Sequence, residues 1–444
     1  MLCGLNMMSH DIRESRRASD ADRLDLMFYL PDLSGGGAER LTIDLCHELQ
    51  AQGHIAELTV DSRKGENSDI VSPSVRLHEL LPGDRPARRV IESGFAIGSM
   101  GAMIESCLAS RKPVFTWQRV AALAAHLKAR RPAILVAALG YAPFIAYWAN
   151  QIAGHICKVV VVEHNTSSKA FLAEGLPIRK LIRLSQIKAL SRRIYPALDG
   201  VVAVSNGVAE DVSEFAYINR RSVQTIYNPI PFDRVTRLAT EAPGHEWLQD
   251  DAAGPVIVSA GRLVAQKNYP LLLRSLAKLN ARPGRQMPVK LLVLGDGPLK
   301  QDLMGLCRDL GIESEVDFLG WRANPYALMS RADVFCLSSD REGLGNVLIE
   351  ALACGVAVVA TDCPSGPREI LADGLYGRLV PPRDVDALVA ALVEALDFPE
   401  STTEDRIARA AQFSVPTIAA QYIEYLSQFM PQENRICAER KPEA

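Results

Sequence analysis

The sequence lacks a charge excess of either sign, a paired-cysteine motif and a metal-binding histidine motif, and it has few aromatic residues. Of 444 residues, 49 are Lys or Arg and 52 Asp or Glu, a net charge of −3. That balance removes the overall attraction to phosphate expected of a nucleic-acid binder. Nine cysteines are scattered without a C-x-x-C pair, an odd count that fits reduced thiols in a cytosolic protein rather than a disulfide framework. Eight histidines show no H-E-x-x-H spacing, so no metal centre is expected. Where a secretory leader would be apolar, the first twenty residues carry Asp11, Arg13, Glu14, Arg16, Arg17 and Asp20. One run lacks formal charge when His155 is neutral, Pro132 to Cys157, longer than the roughly 20 residues that span a bilayer. Gly140 and Pro143 divide it into a strand-sized piece, Ala133–Leu139, and a helix-sized piece, Phe144–Ala153, which predicts a buried strand–helix unit.

A chain of this length is too long for one typical core, and 48% apolar with 23% charged residues is ordinary for a globular protein of two domains. Apolar strand-like runs at Leu24–Leu30, Ile55–Val60, Ala133–Leu139, Lys158–Glu163 and Gly200–Ser205 alternate with helical stretches. Such alternation predicts an α/β fold with parallel sheets covered by helices on both faces. Ser34-Gly-Gly-Gly-Ala38 between the first strand and a helix over 38–52 is a turn where backbone approaches a ligand closely, although it is neither a dinucleotide nor a Walker fingerprint. VVVVEHN brings Glu163, His164 and Asn165 to a strand end, the edge where open α/β sheets bind ligands. Two prolines in Tyr227–Pro231 mark a linker. Beyond it come a strand at Pro255–Ala260, a loop at Gly261–Asn268 holding Arg262 and Lys267, and a helix at Tyr269–Leu279. Further strands are read at Val289–Leu294 and Val316–Leu319, and helices at Val385–Leu396 and Ile418–Phe429.

The most informative stretch is ADVFCLSSDREGLGNVLIEALACG, residues 332–355. A buried strand, Ala332–Ser339, leads through the glycine-rich turn Gly343, Leu344, Gly345 to a helix, Asn346–Cys354, stopped by Gly355. That helix is apolar except at Asn346 and Glu350, so it belongs in a core, where a carboxylate needs a partner. Glu342 stands before the helix N-terminus, where free N–H groups attract anions. Two carboxylates so placed can bind hydroxyl groups on either side of a phosphate, the layout of a sugar nucleotide. The competing reading pairs Glu350 with a buried arginine and leaves Glu342 solvated.

At these residues, followed by CPSGPREI, the chain resembles the family 4 glycosyltransferases, whose signature is Glu, seven residues, Glu in a strand–loop–helix context. The resemblance covers roughly residues 24–430. It implies the GT-B arrangement, two Rossmann-like domains with parallel sheets facing a cleft. Residues 22–230 would form the acceptor domain, 231–415 the nucleotide-sugar domain, and 416–430 a helix crossing back to the first; 1–21 and 431–444 are read as disordered tails. It implies that Glu342 contacts the donor sugar, Glu350 the ribose, and Arg262 and Lys267 of GRLVAQKN the diphosphate. It further places Gly36 and Gly37 near donor phosphate, His164 on the donor sugar, and Arg322 near the base. Gly343, Leu344, Gly345 and Asn346 complete the expected donor site.

The implied activity is retaining, metal-independent transfer with no cofactor beyond the nucleotide-sugar substrate. CPSGPREI resembles bacterial members that use UDP-sugars to build lipid-linked glycans. The expected function is transfer of a hexose or N-acetylhexosamine to a polyprenyl-diphosphate-linked glycan at the inner membrane face. Peripheral contact is expected from the basic amphipathic stretch Lys169–Arg193, with seven basic residues against Glu174. The rivals are a GDP-mannose-dependent mannosyltransferase, a sugar-nucleotide 2-epimerase of the same architecture, and a catalytically silent binding protein.

Overall fold

The computed structural model describes residues 22–34, 37–65, 67–80, 113–166, 168, 178–249, 254–283 and 287–430; for 113–115, 179 and 180 only the backbone is described. The tails 1–21 and 431–444, and Gly35 and Gly36, therefore lie outside the described residues. The chain divides into two compact units: one runs up to Pro229 and resumes at Val415, the other holds Ile230–Ser414 together with Ser205–Gly207.

The first unit is built on seven strands in the order β3-β2-β1-β4-β5-β6-β7, all pairings parallel. They are β1 Asp25–Leu30, β2 Ile55–Val60, β3 Arg76–Glu79, β4 Ile134–Ala138, β5 Lys158–Glu163, β6 Gly200–Ala203 and β7 Val223–Thr225. Their helices are α1 Gly37–Ala51, α2 Pro113–Arg130, α3 Ala142–Ala153, α4 Ile178–Ile194 and α5 Asn206–Ala216. The central strands β1, β4 and β5 are buried on both faces, which is why they read as unbroken apolar runs. The uncharged run 132–157 is the buried unit β4–α3, and among the described residues no helix is long and apolar enough to cross a membrane.

The second unit has six parallel strands in the order β10-β9-β8-β11-β12-β13. These are β8 Val256–Ala260, β9 Lys290–Leu294, β10 Val316–Gly320, β11 Val334–Leu337, β12 Ala357–Thr361 and β13 Arg378–Val380. Its helices are α6 Phe232–Ala239, α7 Tyr269–Asn280, α8 Lys300–Leu310, α9 Tyr326–Met329, α10 Asn346–Ala353, α11 Pro367–Ile370, α12 Val385–Asp397 and α13 Thr403–Ala411. Leu272 and Leu276 of α7 and Leu388 and Leu392 of α12 pack into one core with Ile257, Val293, Val334 and Val359 of the sheet. Burying each such leucine contributes about 1.5–3 kcal/mol relative to exposure.

The last helix, α14 Val415–Ser427, belongs to the first unit. Gly200 at the start of β6 makes room for it: a Cβ there would stand 2.6 Å from the Tyr425 hydroxyl and 2.9 Å from the Phe429 ring. In each sheet the strand order reverses once, between β1 and β4 and between β8 and β11. In open α/β sheets ligands bind beyond the carboxyl ends of the strands at such a reversal.

Candidate functional site

In the second unit the loops leaving the two strands at the reversal are Gly261–Asn268, after β8, and Ser338–Gly345, after β11. They are joined along their length. The Asp340 N–H donates to the Gln266 carbonyl at 2.9 Å, Gln266 Nε2 donates to the Arg341 carbonyl at 2.9 Å, and the Ser338 hydroxyl donates to the Lys267 carbonyl at 2.9 Å. Across this seam Lys267 Nζ lies 2.7 Å from Glu342 Oε1, which also accepts from the Ser339 hydroxyl at 2.6 Å. Glu342 is only 8% exposed, so the sequence-level alternative of a solvated glutamate is excluded. A carboxylate this deep is tolerated because a cation and a hydroxyl compensate it.

Gly345, with φ 92°, turns the chain into α10 as its N-cap, and Gly343, Leu344 and Gly345 are all buried. The turn Cys363–Gly366 lies flat on this loop: at Gly366, φ +91°, a Cβ would fall 1.8 Å from the Leu344 carbonyl oxygen. Asn346 and Glu350 are half-buried while Leu348, Ile349, Ala351, Leu352 and Ala353 are buried, the division expected from the sequence. Glu350 Oε1 accepts from the Tyr326 hydroxyl at 3.2 Å. Arg262, on the loop that holds Lys267, is exposed, as is Arg322 on the loop after β10 beside the exposed Trp321.

His164 and Gly37 belong to the first unit; Gly36 lies outside the described residues. Gly37 is the first residue of α1. His164 follows β5 and borders a cavity of about 20 Å³ at the β1/β4 reversal, lined also by Phe28, Thr42, Val136, Asn228 and Tyr422. Its Nδ1 is buried with no hydrogen-bond partner among the described residues, and burial lowers its pKa to about 4, so the imidazole is neutral at pH 7.

The preceding Glu163 receives a hydrogen bond from the Tyr195 hydroxyl, but burial outweighs it, and with Asp211 nearby raises its pKa to about 7. The folded protein thus binds a proton that the unfolded chain has released between pH 4.5 and 7. Stability carried by this group is complete below pH 4.5 and is lost as pH rises through 7. Glu163→Gln should therefore gain on the wild type, by up to about 3 kcal/mol, between pH 5 and 8 in urea titrations. A pH-independent difference would show that Glu163 titrates normally.

Only part of the basic stretch falls within the described residues. In α4, Arg183 donates to the Tyr141 hydroxyl at 3.0 Å, while Lys188 lies over the Phe215 ring and Arg192 over the Tyr217 ring. These three cations make contacts within their own unit, while Arg192 and Arg193 are exposed. At its N-terminal end α4 exposes apolar side chains, Ile178 (73%), Ile182 (55%) and Leu181 (37%), and at its C-terminal end these two arginines. Lys169, Glu174 and Leu176 lie outside the described residues, as do the side chains of Arg179 and Lys180.

Several partners of the site were not anticipated from the sequence: Ser338, Ser339, Asp340, Asn268 and Tyr326. The only signal was the small polar pair closing the β11 run.

Comparison with known proteins agrees with this architecture. Residues 248–413 match the family model for glycosyl transferases group 1, and residues 35–234 that for glycosyltransferase family 4. The Campylobacter jejuni N-acetylgalactosamine-N,N'-diacetylbacillosaminyl-diphospho-undecaprenol 4-alpha-N-acetylgalactosaminyltransferase is 31% identical over 287 residues, 64% of this chain and 73% of that enzyme. The Rhizobium meliloti lipopolysaccharide core biosynthesis glycosyltransferase LpsE is 32% identical over 235 residues, 52% of this chain and 64% of its own length. Among solved structures, a Rickettsia africae glycosyltransferase superposes with a TM-score of 0.69 at 18% identity, covering 92% of this chain and 98% of the other. Anabaena HepE in complex with UDP gives 0.66 at 22% identity, covering 91% and 100%. At these identities the solved structures speak for the fold. With both halves of the chain matched and most of the Campylobacter enzyme covered, the chain belongs to the family 4 glycosyltransferases and has the GT-B fold of two parallel-sheet α/β domains.

Proposed function

We propose that this glycosyltransferase moves a hexose or N-acetylhexosamine from a UDP-sugar, with retention, to a polyprenyl-diphosphate-linked glycan during assembly of a surface polysaccharide or glycoconjugate. The observation that carries the reading is the Lys267–Glu342 pair, a buried carboxylate and a half-buried ammonium where the β8 and β11 loops meet at the strand-order reversal. A diphosphate beside this pair competes for the ammonium of Lys267 and frees the carboxylate of Glu342 to accept hydrogen bonds from the sugar. Arg262, Lys267 and the N-terminus of α10, framed by Gly343, Leu344, Gly345 and Asn346, take up the charge that grows on the departing diphosphate. This reading assigns no step to a metal ion. The sugar passes through an oxocarbenium-like state, and the leaving phosphate oxygen takes the acceptor proton. The family resemblance assigns His164, held neutral by burial, a hydrogen bond to the sugar, Gly36 and Gly37 the donor phosphates, and Arg322 the base.

Glu350 is assigned to the ribose hydroxyls. Glu350→Ala should weaken UDP binding by about 1–3 kcal/mol, the cost of a charge-assisted hydrogen bond, read by calorimetry on the folded variant. An unchanged dissociation constant removes Glu350 from the nucleotide site.

Lipid-linked acceptors are named for the Campylobacter relative, and the apolar residues that α4 exposes support contact with the inner face of the cytoplasmic membrane. Sedimentation with anionic liposomes at low salt should carry the protein to the pellet, and Ile178→Ser/Ile182→Ser should leave it in the supernatant. Wild-type protein remaining in the supernatant would contradict membrane contact.

The donor class is tested by thermal shift with UDP, GDP and ADP and their sugar conjugates. At 100 times its dissociation constant the true nucleotide adds about 2.7 kcal/mol of stability. Stabilisation by GDP alone would favour a mannosyltransferase, a reading supported by a Mycolicibacterium smegmatis GDP-mannose-dependent enzyme 37% identical over 155 residues. Turnover without an acceptor would point to an epimerase.

A further inference from the structure

We infer that Asp340, acting through Asn268, is a positioning residue that aims Lys267 at the donor diphosphate. The inference rests on the reading of Lys267 given above. Lys267 ends the one-turn helix Ala265–Lys267, and the next residue, Asn268, has φ 45° and ψ 46°. This left-handed conformation is one that few side chains other than asparagine adopt. It sets the direction in which the chain enters α7, and with it the direction in which the neighbouring Lys267 side chain leaves the backbone.

The Asn268 amide is held at both ends. Its Oδ1 caps α7 by accepting from the Leu271 N–H at 3.3 Å, and its Nδ2 donates to Asp340 Oδ1 at 2.8 Å. Asp340 is fixed in turn: Oδ2 accepts from Arg383 Nη2 at 2.8 Å and Nε at 3.1 Å, and its N–H donates to the Gln266 carbonyl at 2.9 Å. Both carboxylate oxygens are thus engaged with protein donors. Asp340 acts on the site only through what it holds.

What it holds is a lysine anchored at its backbone and at its tip, with room for the stem at Gly261. The carbonyl of Lys267 accepts from Ser338, the Lys267 stem runs past Gly261, where a Cβ would stand 3.2 Å from Cε, and Nζ reaches Glu342. A lysine stem has four rotatable bonds and would otherwise sample many positions. Holding its base by Ser338 and its ammonium by Glu342 narrows the positions that Nζ samples, which is what stabilising a developing charge requires.

The test is a double-mutant cycle read by transfer of radiolabelled sugar, with kcat and donor KM measured separately. Asp340→Ala in the otherwise wild-type enzyme should lower kcat by about 10–100-fold, the effect of a misplaced group, with donor KM within about threefold. In a Lys267→Ala background the same substitution should change kcat by less than about twofold, because there is no ammonium left to aim. Asp340→Asn, which can still accept from Asn268, should restore most of the turnover. Asn268→Gly keeps the left-handed turn but removes the bond to Asp340, so it carries the same expectation should Asp340→Ala fail to fold. Equal losses in both backgrounds, or a loss confined to KM, would overturn the inference. Wild-type turnover by Lys267→Ala alone would instead overturn the role of Lys267 itself.

Discussion

Replacing Lys267 with alanine should lower the turnover of sugar transfer by about 10²- to 10³-fold, the usual cost of removing one preorganised charge donor from a developing anion. The loss is expected mainly in kcat, because the diphosphate gains charge as the glycosidic bond breaks and the ammonium is worth more at that moment than in the bound ground state. Stability should also fall, since the carboxylate of Glu342 would stay buried with, among the described residues, Ser339 left to compensate it. Adding Glu342→Ala to Lys267→Ala should then recover part of that stability without recovering turnover. Activity assays and urea titrations of the two variants check this, and wild-type turnover by Lys267→Ala would remove the residue from the catalytic group.

Gly366→Ala should destabilise the protein by about 3–5 kcal/mol, combining a strained backbone with overpacking. With φ +91° and ψ −67°, Gly366 occupies a conformation that L-residues avoid, and the new Cβ would meet the Leu344 carbonyl oxygen at 1.8 Å, a backbone atom that no side-chain rotation can move aside. Because Leu344 belongs to the loop that launches α10, the same substitution should weaken UDP binding in whatever fraction folds. Denaturation midpoints and calorimetry report the two effects separately. A folded variant within about 1 kcal/mol of wild type would mean that this loop yields far more easily than its packing implies.

Much of this fold was legible because buried parallel strands announce themselves. β4, β5, β8 and β9 are continuous apolar runs, and glycine or proline marks most of their ends. The edge strands of the first sheet were not legible: β3 alternates exposed and half-buried residues over RLHE, and β7 is only VQT, so neither carries a pattern above that of a loop. α14 begins at Val415, earlier than the apolar periodicity suggested, because Pro416 is acceptable in a first helical turn. The strand read as Ala332–Ser339 narrows to Val334–Leu337, since Ser338 and Ser339 spend their hydroxyls on the Lys267 carbonyl and on Glu342.

At the candidate site, Glu342 and Glu350 could be singled out from local sequence because an apolar helix and a glycine turn surround them. Their partners could not. Lys267 is 75 positions from Glu342, Asn268 is 72 from Asp340, and Arg383 is 43 from Asp340. Only the adjacency of β8 and β11, a property of strand order rather than of either segment, brings these residues together. For the basic stretch the sequence showed the charges but not their neighbours: the rings and hydroxyl that engage Arg183, Lys188 and Arg192 lie in other segments of the chain.

The most direct measurement is transfer of radiolabel from UDP-sugars to a polyprenyl-diphosphate-linked glycan by the purified protein, followed by organic extraction. The account predicts label in the lipid fraction from a UDP-sugar, dependent on added acceptor and lost in Glu342→Ala. Label that appears only from a GDP-sugar, or no transfer to any lipid-linked acceptor from a donor that demonstrably binds, would contradict it.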